Sequence, residues 1–400
     1  MRIATAFFHD RAAAGITARQ ADVYDTQNRL ASGRRIATAA DDPVGAALAV
    51  RQRGALAENE RWLESQTAAR TSLSIAESTL GAMGDAIASA RDTVIAAGSP
   101  TLTASDRRTL AGQLRHALEQ VTSLANATDG DGSYLFAGFD NRAAPFVQNG
   151  TAVAYGGDSG QRWAEVGPGV RVPVTEGGDE LFMRIPDGNG VFSVEGAAAN
   201  AGSGQFTVGR VANAAALTGH TYEIRFGAGG MTYDVWDVTA AAAVSAGNAY
   251  TAGQTIAVAG MAFEVKGAPA AGDTFTLAPS QVSSVFERLS RAIAALEDGA
   301  TGPAASARLT NELGVSLQGL DRALDRVLDA RGAAGNALNR LDTLTGLSQD
   351  REVATSAQLS AVEDLDYAKA ASELTMRTTA LEAALAAYSQ TAKRSLFDYL

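Results

Sequence analysis

The apolar positions of this chain form stripes at both ends and alternate in the middle. Ile16, Val23 and Leu30 recur at seven-residue spacing in the first segment. In the last segment Tyr367, Ala371, Leu374, Thr378, Leu381, Leu385, Tyr388 and Ala392 follow in steps of four and three. Such steps keep one side-chain seam turned toward a partner helix. Residues 1–33 and 359–400 therefore read as amphipathic helices that pack either on each other or on other copies of the chain. Ser32-Gly33 ends the first, and residues 34–43 read as a loop. Asp41, Asp42 and Pro43 form a helix start, with acid near the positive end of the helix and proline just inside it.

The longest stripe runs through Trp62, Gln66, Ala69, Leu73, Ala76, Leu80, Met83, Ile87, Ala90 and Val94. It predicts one helix over residues 43–97, about 80 Å long at about 1.5 Å per residue. Gly98-Ser99-Pro100 ends it, and Thr103 or Ser105 caps a second helix with a stripe through Leu110, Leu114, Ala117, Val121, Leu124 and Thr128. The short connection makes the two an antiparallel hairpin. Stripes then vanish. Residues 222–226 and 231–238 alternate across a glycine-rich turn, and residues 255–258 and 261–266 do so across Ala259-Gly260, which predicts two β-hairpins. Two small lobes meeting near residues 197–204 would fit this region. Helix returns after residue 280, with one stripe through Val285, Leu289, Ala292 and Leu296. A longer one runs from Leu313 to Leu341, and Gly346 is read as its interruption.

These elements predict a mainly α chain with an inserted β domain. A long antiparallel helical rod carries the β domain at its far end, and the terminal helices are coiled-coil. The division is residues 1–42 (N-terminal assembly helix and loop), 43–139 (ascending rod), 140–280 (β insertion), 281–346 (returning rod) and 347–400 (C-terminal assembly helix). An insertion whose two ends lie close together follows from helices both entering and leaving it.

Composition narrows the function. At 400 residues the chain exceeds one ordinary core. A net charge of −11 offers no basic field to displace phosphate counterions, which argues against nucleic acid as a partner. The chain has no cysteine, which removes disulfides, thiol catalysis and cysteine metal sites. The first twenty residues lack the pattern of a secretory signal, and no apolar run is long enough for membrane insertion. The expected location is the cytoplasm, or outside the cell by a route without a cleaved signal.

Site chemistry is sparse. Asp129-Gly130-Asp131-Gly132-Ser133 starts like a calcium loop, but Tyr134 and Asp140 stand where an EF-hand needs glycine and glutamate, so it reads as a turn. His9, His116 and His220 lie in three different regions, and no phosphate-binding glycine motif or nucleophile–base set is present. No catalytic, cofactor or metal residue is expected. Arg331 interrupts an apolar stripe. It either snorkels out of the seam or pairs with a carboxylate on a neighbouring helix or subunit. The three apolar residues of the first helix are too few to offset the cost of ordering its backbone. Both ends are therefore expected to order on assembly.

Several motifs carry a family resemblance. Leu30-Ala31-Ser32-Gly33-Arg34-Arg35-Ile36 with Ala39-Ala40-Asp41-Asp42-Pro43 resembles the N-terminal signature of the flagellin superfamily of bacterial axial proteins. Arg331-Gly332-Ala333-Ala334 with Asn336, Asn339, Arg340 and Leu341 is similar to its returning-helix motif. Asp366-Tyr367-Ala368 and the ending Ser395-Leu396-Phe397-Asp398-Tyr399-Leu400 are similar to its C-terminal signature. Within the superfamily, three features resemble the hook-associated proteins of the hook–filament junction. These are the opening Met1-Arg2-Ile3-Ala4-Thr5, the run Tyr134-Leu135-Phe136-Ala137-Gly138-Phe139, and residues 155–169 with their Gly156-Gly157-Asp158 and Gly167-Pro168-Gly169 turns.

The resemblance implies a flagellin-like fold and a non-enzymatic structural adaptor. Such a protein is exported by the flagellar type III system, is cytoplasmic before export, and is extracellular in the flagellum afterwards. It implies a ring of copies of the chain between a hook-side hook-associated protein and flagellin, with an export chaperone on the C-terminal helix. Subunit packing would fall to Ile16, Val23, Leu30, Arg34, Asp41, Asp42, Arg331, Leu374, Leu381, Leu385, Tyr388 and Leu396. The rival readings are a filament-forming flagellin and, from another class, a secreted glycan-binding or enzymatic module on a helical stalk.

Overall fold

In the computed structural model, which describes residues 2–393, six α-helices bracket a region of short strands. The helices are α1 (Arg2–Ser32), α2 (Pro43–Ala97), α3 (Ala104–Ala125), α4 (Val285–Glu297), α5 (Pro303–Glu363) and α6 (Tyr367–Lys393). The chain packs as two units, Met1–Glu64 with Thr343–Leu400, and Ser65–Asp342. No helix among the described residues is long and apolar enough to cross a membrane.

The second unit is built on one helical core. The stripe of α2 is buried from Gln66 to Val94, and Val285, Leu289, Ala292 and Leu296 of α4 are all buried with it. Thr103 caps α3 in a reciprocal box with Asp106: the Asp106 N–H donates to the Thr103 hydroxyl at 3.2 Å, and the Thr103 N–H donates to the Asp106 carboxylate at 2.9 Å. The buried face of α3 is Ala111, Leu114, Leu118, Val121, Thr122 and Ala125, which is rotated from the expected stripe. Leu110, Ala117 and Leu124 are only partly buried at its edge. A stripe one heptad wide understates a helix packed on several sides.

The strands divide between two cores. Phe146 opens the hairpin Phe146–Asn149 with Ala152–Tyr155, and its ring meets Phe182 at 5.6 Å and Phe286 of α4 at 5.3 Å. These rings join the helical core. Residues 192–279 have their own core, a five-stranded antiparallel sheet facing a smaller one. The first sheet runs Ala242–Ala249, Thr232–Asp237, Tyr222–Phe226, Thr274–Pro279, Phe192–Gly196; the second runs Thr255–Val258, Met261–Lys266, Gln205–Phe206, with Arg210–Val211 also paired to Met261–Lys266. Phe192, Ile224, Phe226, Phe263 and Phe275 fill the space between them. Both hairpins read from alternation are present. The turn at Ala259-Gly260 has φ of 45° and 82°, the mirror-image geometry that matches strand twist. Ile185 belongs to the helical core and Phe192 to the β core, so the two part upstream of residues 197–204.

One boundary differs from the sequence reading. Gly346 does not interrupt α5, which continues to Glu363. A glycine costs a helix interior only about 1 kcal/mol relative to alanine, and a 61-residue helix tolerates that. The break falls at Asp364-Leu365-Asp366 instead, where the Asp366 carboxylate accepts from the Lys369 N–H at 3.0 Å and starts α6.

Candidate functional site

The first unit brings the two chain ends together, with α1 and α6 packed on each other. Val23 is buried at 8% exposure and Thr26 beside it is buried too, while Ile16 and Leu30 are half-buried. The α1 seam thus faces as its spacing predicts. On α6 the inward positions are Ala370, Leu374, Arg377, Leu381, Ala384 and Tyr388. Tyr367, Ala371 and Leu385 lie beside that seam, and Leu385 is 42% exposed. Tyr388 meets His9 edge-on at 5.8 Å, and Arg377 donates to the Asp22 carbonyl at 3.1 Å. Ile16, Val23, Leu30, Leu374, Leu381 and Tyr388 thus lie among the buried and half-buried positions of two helices that pack on each other within one chain. Leu396 lies outside the described residues.

The loop after α1 is clasped by the break between α5 and α6. The Leu365 N–H donates to the Gly33 carbonyl at 3.0 Å, Arg34 forms an antiparallel bridge with Asp364, and the Arg35 N–H donates to the Glu363 carbonyl at 2.6 Å. Gly33 has φ +68°, and a Cβ there would meet the Tyr367 hydroxyl at 2.6 Å. The Arg35 side chain bonds the Val362 carbonyl at 2.7 Å and Asp42 at 3.2 Å. Arg53 of α2 pairs with the buried Glu363.

Asp41 and Asp42 shape this loop. Asp41 Oδ2 accepts from the Thr38 N–H at 2.7 Å, and its Oδ1 accepts from Arg29 at 3.2 Å. Asp42 Oδ1 accepts from the Gly45 N–H at 2.9 Å, which caps α2. A Cβ on Gly45 would sit 2.5 Å from the Asp42 carboxylate and from Ile36. Both carboxyls are held below the ordinary range, Asp41 first by the Thr38 N–H and Asp42 first by the Gly45 N–H, with Arg29 and Arg35 adding to it.

Arg331 is elsewhere. It lies in the second unit and pairs with Glu77 of α2 at 2.6 Å, so its carboxylate partner is on a neighbouring helix of the same chain. His220 bonds Asp237 at 2.8 Å, and Asp129 accepts from the Asp131 and Ser133 N–H groups at 3.1 and 2.9 Å, as a turn does. Among the described residues no group of three His, Cys, Asp or Glu side chains is placed to hold a metal.

Sequence spacing passed over several exposed apolar side chains. Phe7, Tyr24, Val44, Val50, Val353 and Met376, all in the first unit, are 64–80% exposed. Tyr24 follows the buried Val23 and points away from the seam's face by the helical repeat. Arg35, Arg53, Glu363 and Arg377 were also missed as partners, because their contacts span more than three hundred residues.

Family models for the bacterial flagellin N-terminal and C-terminal helical regions match residues 3–141 and 317–400. FlgL of Xanthomonas campestris is 34% identical, with a TM-score of 0.72 over 77% of this chain and 99% of its own. The chain belongs to the flagellar hook-associated protein 3 family. Hook-associated protein 3 of Escherichia coli strain K12 is 26% identical across 100% of this chain and 99% of its own length. The hook-associated protein 3 structure from Legionella pneumophila is 29% identical, with a TM-score of 0.73 over 78% of this chain and 98% of its own. The members of the hook-associated protein 3 family are structural proteins of the flagellum. Family and fold agree with the flagellin-like helical ends and β-rich middle read from the residues.

Proposed function

We propose that this chain is the adaptor of the hook–filament junction. It leaves the cell through the flagellar type III export route, joins the hook tip as a ring of identical copies, and acts extracellularly without a chemical step. A hook-side hook-associated protein lies on one face of the ring and flagellin on the other. Before export a cytoplasmic chaperone covers the C-terminal helix.

The observation that carries this reading is the end-to-end likeness to hook-associated protein 3, through the β region as well as the helical ends. The first unit supports the mode of assembly. Its seam residues hold α1 against α6, and Arg34, Asp41 and Asp42 belong to the loop that fixes where α1 ends. The exposed apolar side chains of these helices, Tyr24 and Met376 among them, would then be what each copy offers to its neighbours. Arg331 holds α5 to α2 within each copy. The absence of cysteine suits passage through a narrow channel as an unfolded chain.

Deletion of the gene tests the reading. The expected cells keep their hooks, lose their filaments and shed unassembled flagellin into the medium. Filaments of normal length on the deleted strain would refute it.

A further inference from the structure

In the second unit a cleft of about 600 Å³ opens between the loop 196–204 and the facing parts of α4 and α5. That is the size of a small-molecule site. Its charged walls are Arg107 of α3, Arg291 and Asp298 at α4, and Arg308 and Glu312 of α5. Arg291 is already engaged, by Glu312 at 3.1 Å and Glu195 at 3.3 Å. Arg308 makes a single bond, to the Ala198 carbonyl at 3.3 Å, and has no carboxylate partner among the described residues. Arg107 also lines the cleft, and its side chain forms no ion pair or hydrogen bond among the described residues. A guanidinium without a carboxylate partner in a concave site can donate a charge-assisted hydrogen bond to an anion.

The surroundings reinforce the imbalance. A second hollow shares Arg107 and adds Arg108 and the first turn of α5. Its carboxylate, Glu297, is taken by Arg115. Across the two hollows Arg107, Arg108, Arg291 and Arg308 face Asp298, Glu297 and Glu312, a cationic excess in a chain whose net charge is −11. The opposite wall is held in place before any ligand arrives. Asn311 donates to the Gly204 carbonyl and accepts from the Phe206 N–H, both at 3.1 Å, and Asp273 accepts from the Ala201 N–H at 2.8 Å. A wall fixed in advance lowers the ordering cost of binding.

We propose that this cleft binds a small solute through an oxyanion, a carboxylate or a phosphate, with Arg107 and Arg308 as its two anchors. Guanidinium groups match both kinds of oxyanion through paired N–H donors.

The test is an NMR titration of the full chain with inorganic phosphate and, separately, with citrate, each against sodium chloride of equal ionic strength. Saturable shifts at the Arg107 and Arg308 guanidinium signals and in the amides of residues 196–204 are expected with at least one anion, and which anion acts identifies the source. Arg107→Gln and Arg308→Gln should each weaken binding about tenfold, the loss of one charge-assisted contact. Arg107→Lys should fall between, and Arg70→Gln, distant from the cleft lining, should leave binding unchanged. Circular dichroism confirms that each variant is folded. No saturable response beyond the chloride control, or an undiminished response in the folded Arg107→Gln and Arg308→Gln proteins, would overturn the proposal.

Discussion

The Leu365 N–H donates to the Gly33 carbonyl at 3.0 Å, joining the point where the first helix stops to the point where the last one starts. Gly33 reaches that bond only with φ at +68°, in the left-handed region. Replacing it with alanine should destabilise the first unit by about 1–2 kcal/mol through backbone strain and contact with Tyr367. Chemical denaturation followed by signals from the first unit measures this, and a neutral result would show that the clasp is not strained there.

Arg53 and Glu363 give a second test. The Glu363 side chain is nearly buried, so Arg53→Ala leaves a carboxylate with little water to replace its partner. Arg53 itself is half exposed, which moderates the loss to about 1–2 kcal/mol. Arg70 pairs with Asp342 at an exposed site, and Arg70→Ala should cost no more than about 0.5 kcal/mol. Equal losses from the two variants would contradict the role given to burial.

Asp41 and Asp42 set a pH dependence. Their folded pKa values lie below the ordinary 3.8. Carboxyls lowered on folding contribute stability that is full above the unfolded value and disappears as pH falls through the folded one. The loop 34–42 should therefore hold at neutral pH and loosen as the solution is acidified below 3.8. Asp42→Asn keeps an acceptor for the Gly45 N–H and removes the charge, so it should flatten the response at α2's first turn. NMR titration of the Thr38 and Gly45 amides reads both.

Burial along α1 is thin compared with α2, where Leu80, Met83, Ile87 and Val94 are fully enclosed. In the dilute free chain, amides of residues 15–30 should exchange much faster than those of residues 80–94, because local opening of α1 exposes little apolar surface. Incorporation into the junction should slow them. Equal protection of the two segments in the free chain would contradict the expectation that the ends order on assembly.

The helical part of the fold was largely legible in the residues. The α2 stripe, the Pro43 start, the Thr103 cap and the α4 stripe are local signals, and the structure keeps each of them. Both alternating hairpins were legible for the same reason. Gly346 was misleading because a local helix breaker carries little weight inside a helix held along its length. The site was less legible. Heptad spacing located the seam of α1, but the six-position seam of α6 includes Arg377, whose polar head hides it from an apolar pattern. Arg35 and Arg53 find their partners on the α5–α6 break, and no local spacing encodes a contact between residues so far apart. Tyr24 and Met376 were passed over because an exposed apolar residue beside a seam looks like any other helix position in the pattern.

The most direct measurement is immunogold labelling of hook tips in cells whose only copy of this chain carries Tyr24→Asp and Met376→Asp. Both side chains face away from the α1–α6 contact and are 67% and 69% exposed, so the soluble chain should keep its thermal stability within about 0.5 kcal/mol. The account predicts bare hook tips, flagellin in the medium and no swimming, while the secreted variant remains folded. Gold at the tips and normal motility in these cells would contradict the claim that neighbouring copies meet on the outward faces of the paired ends.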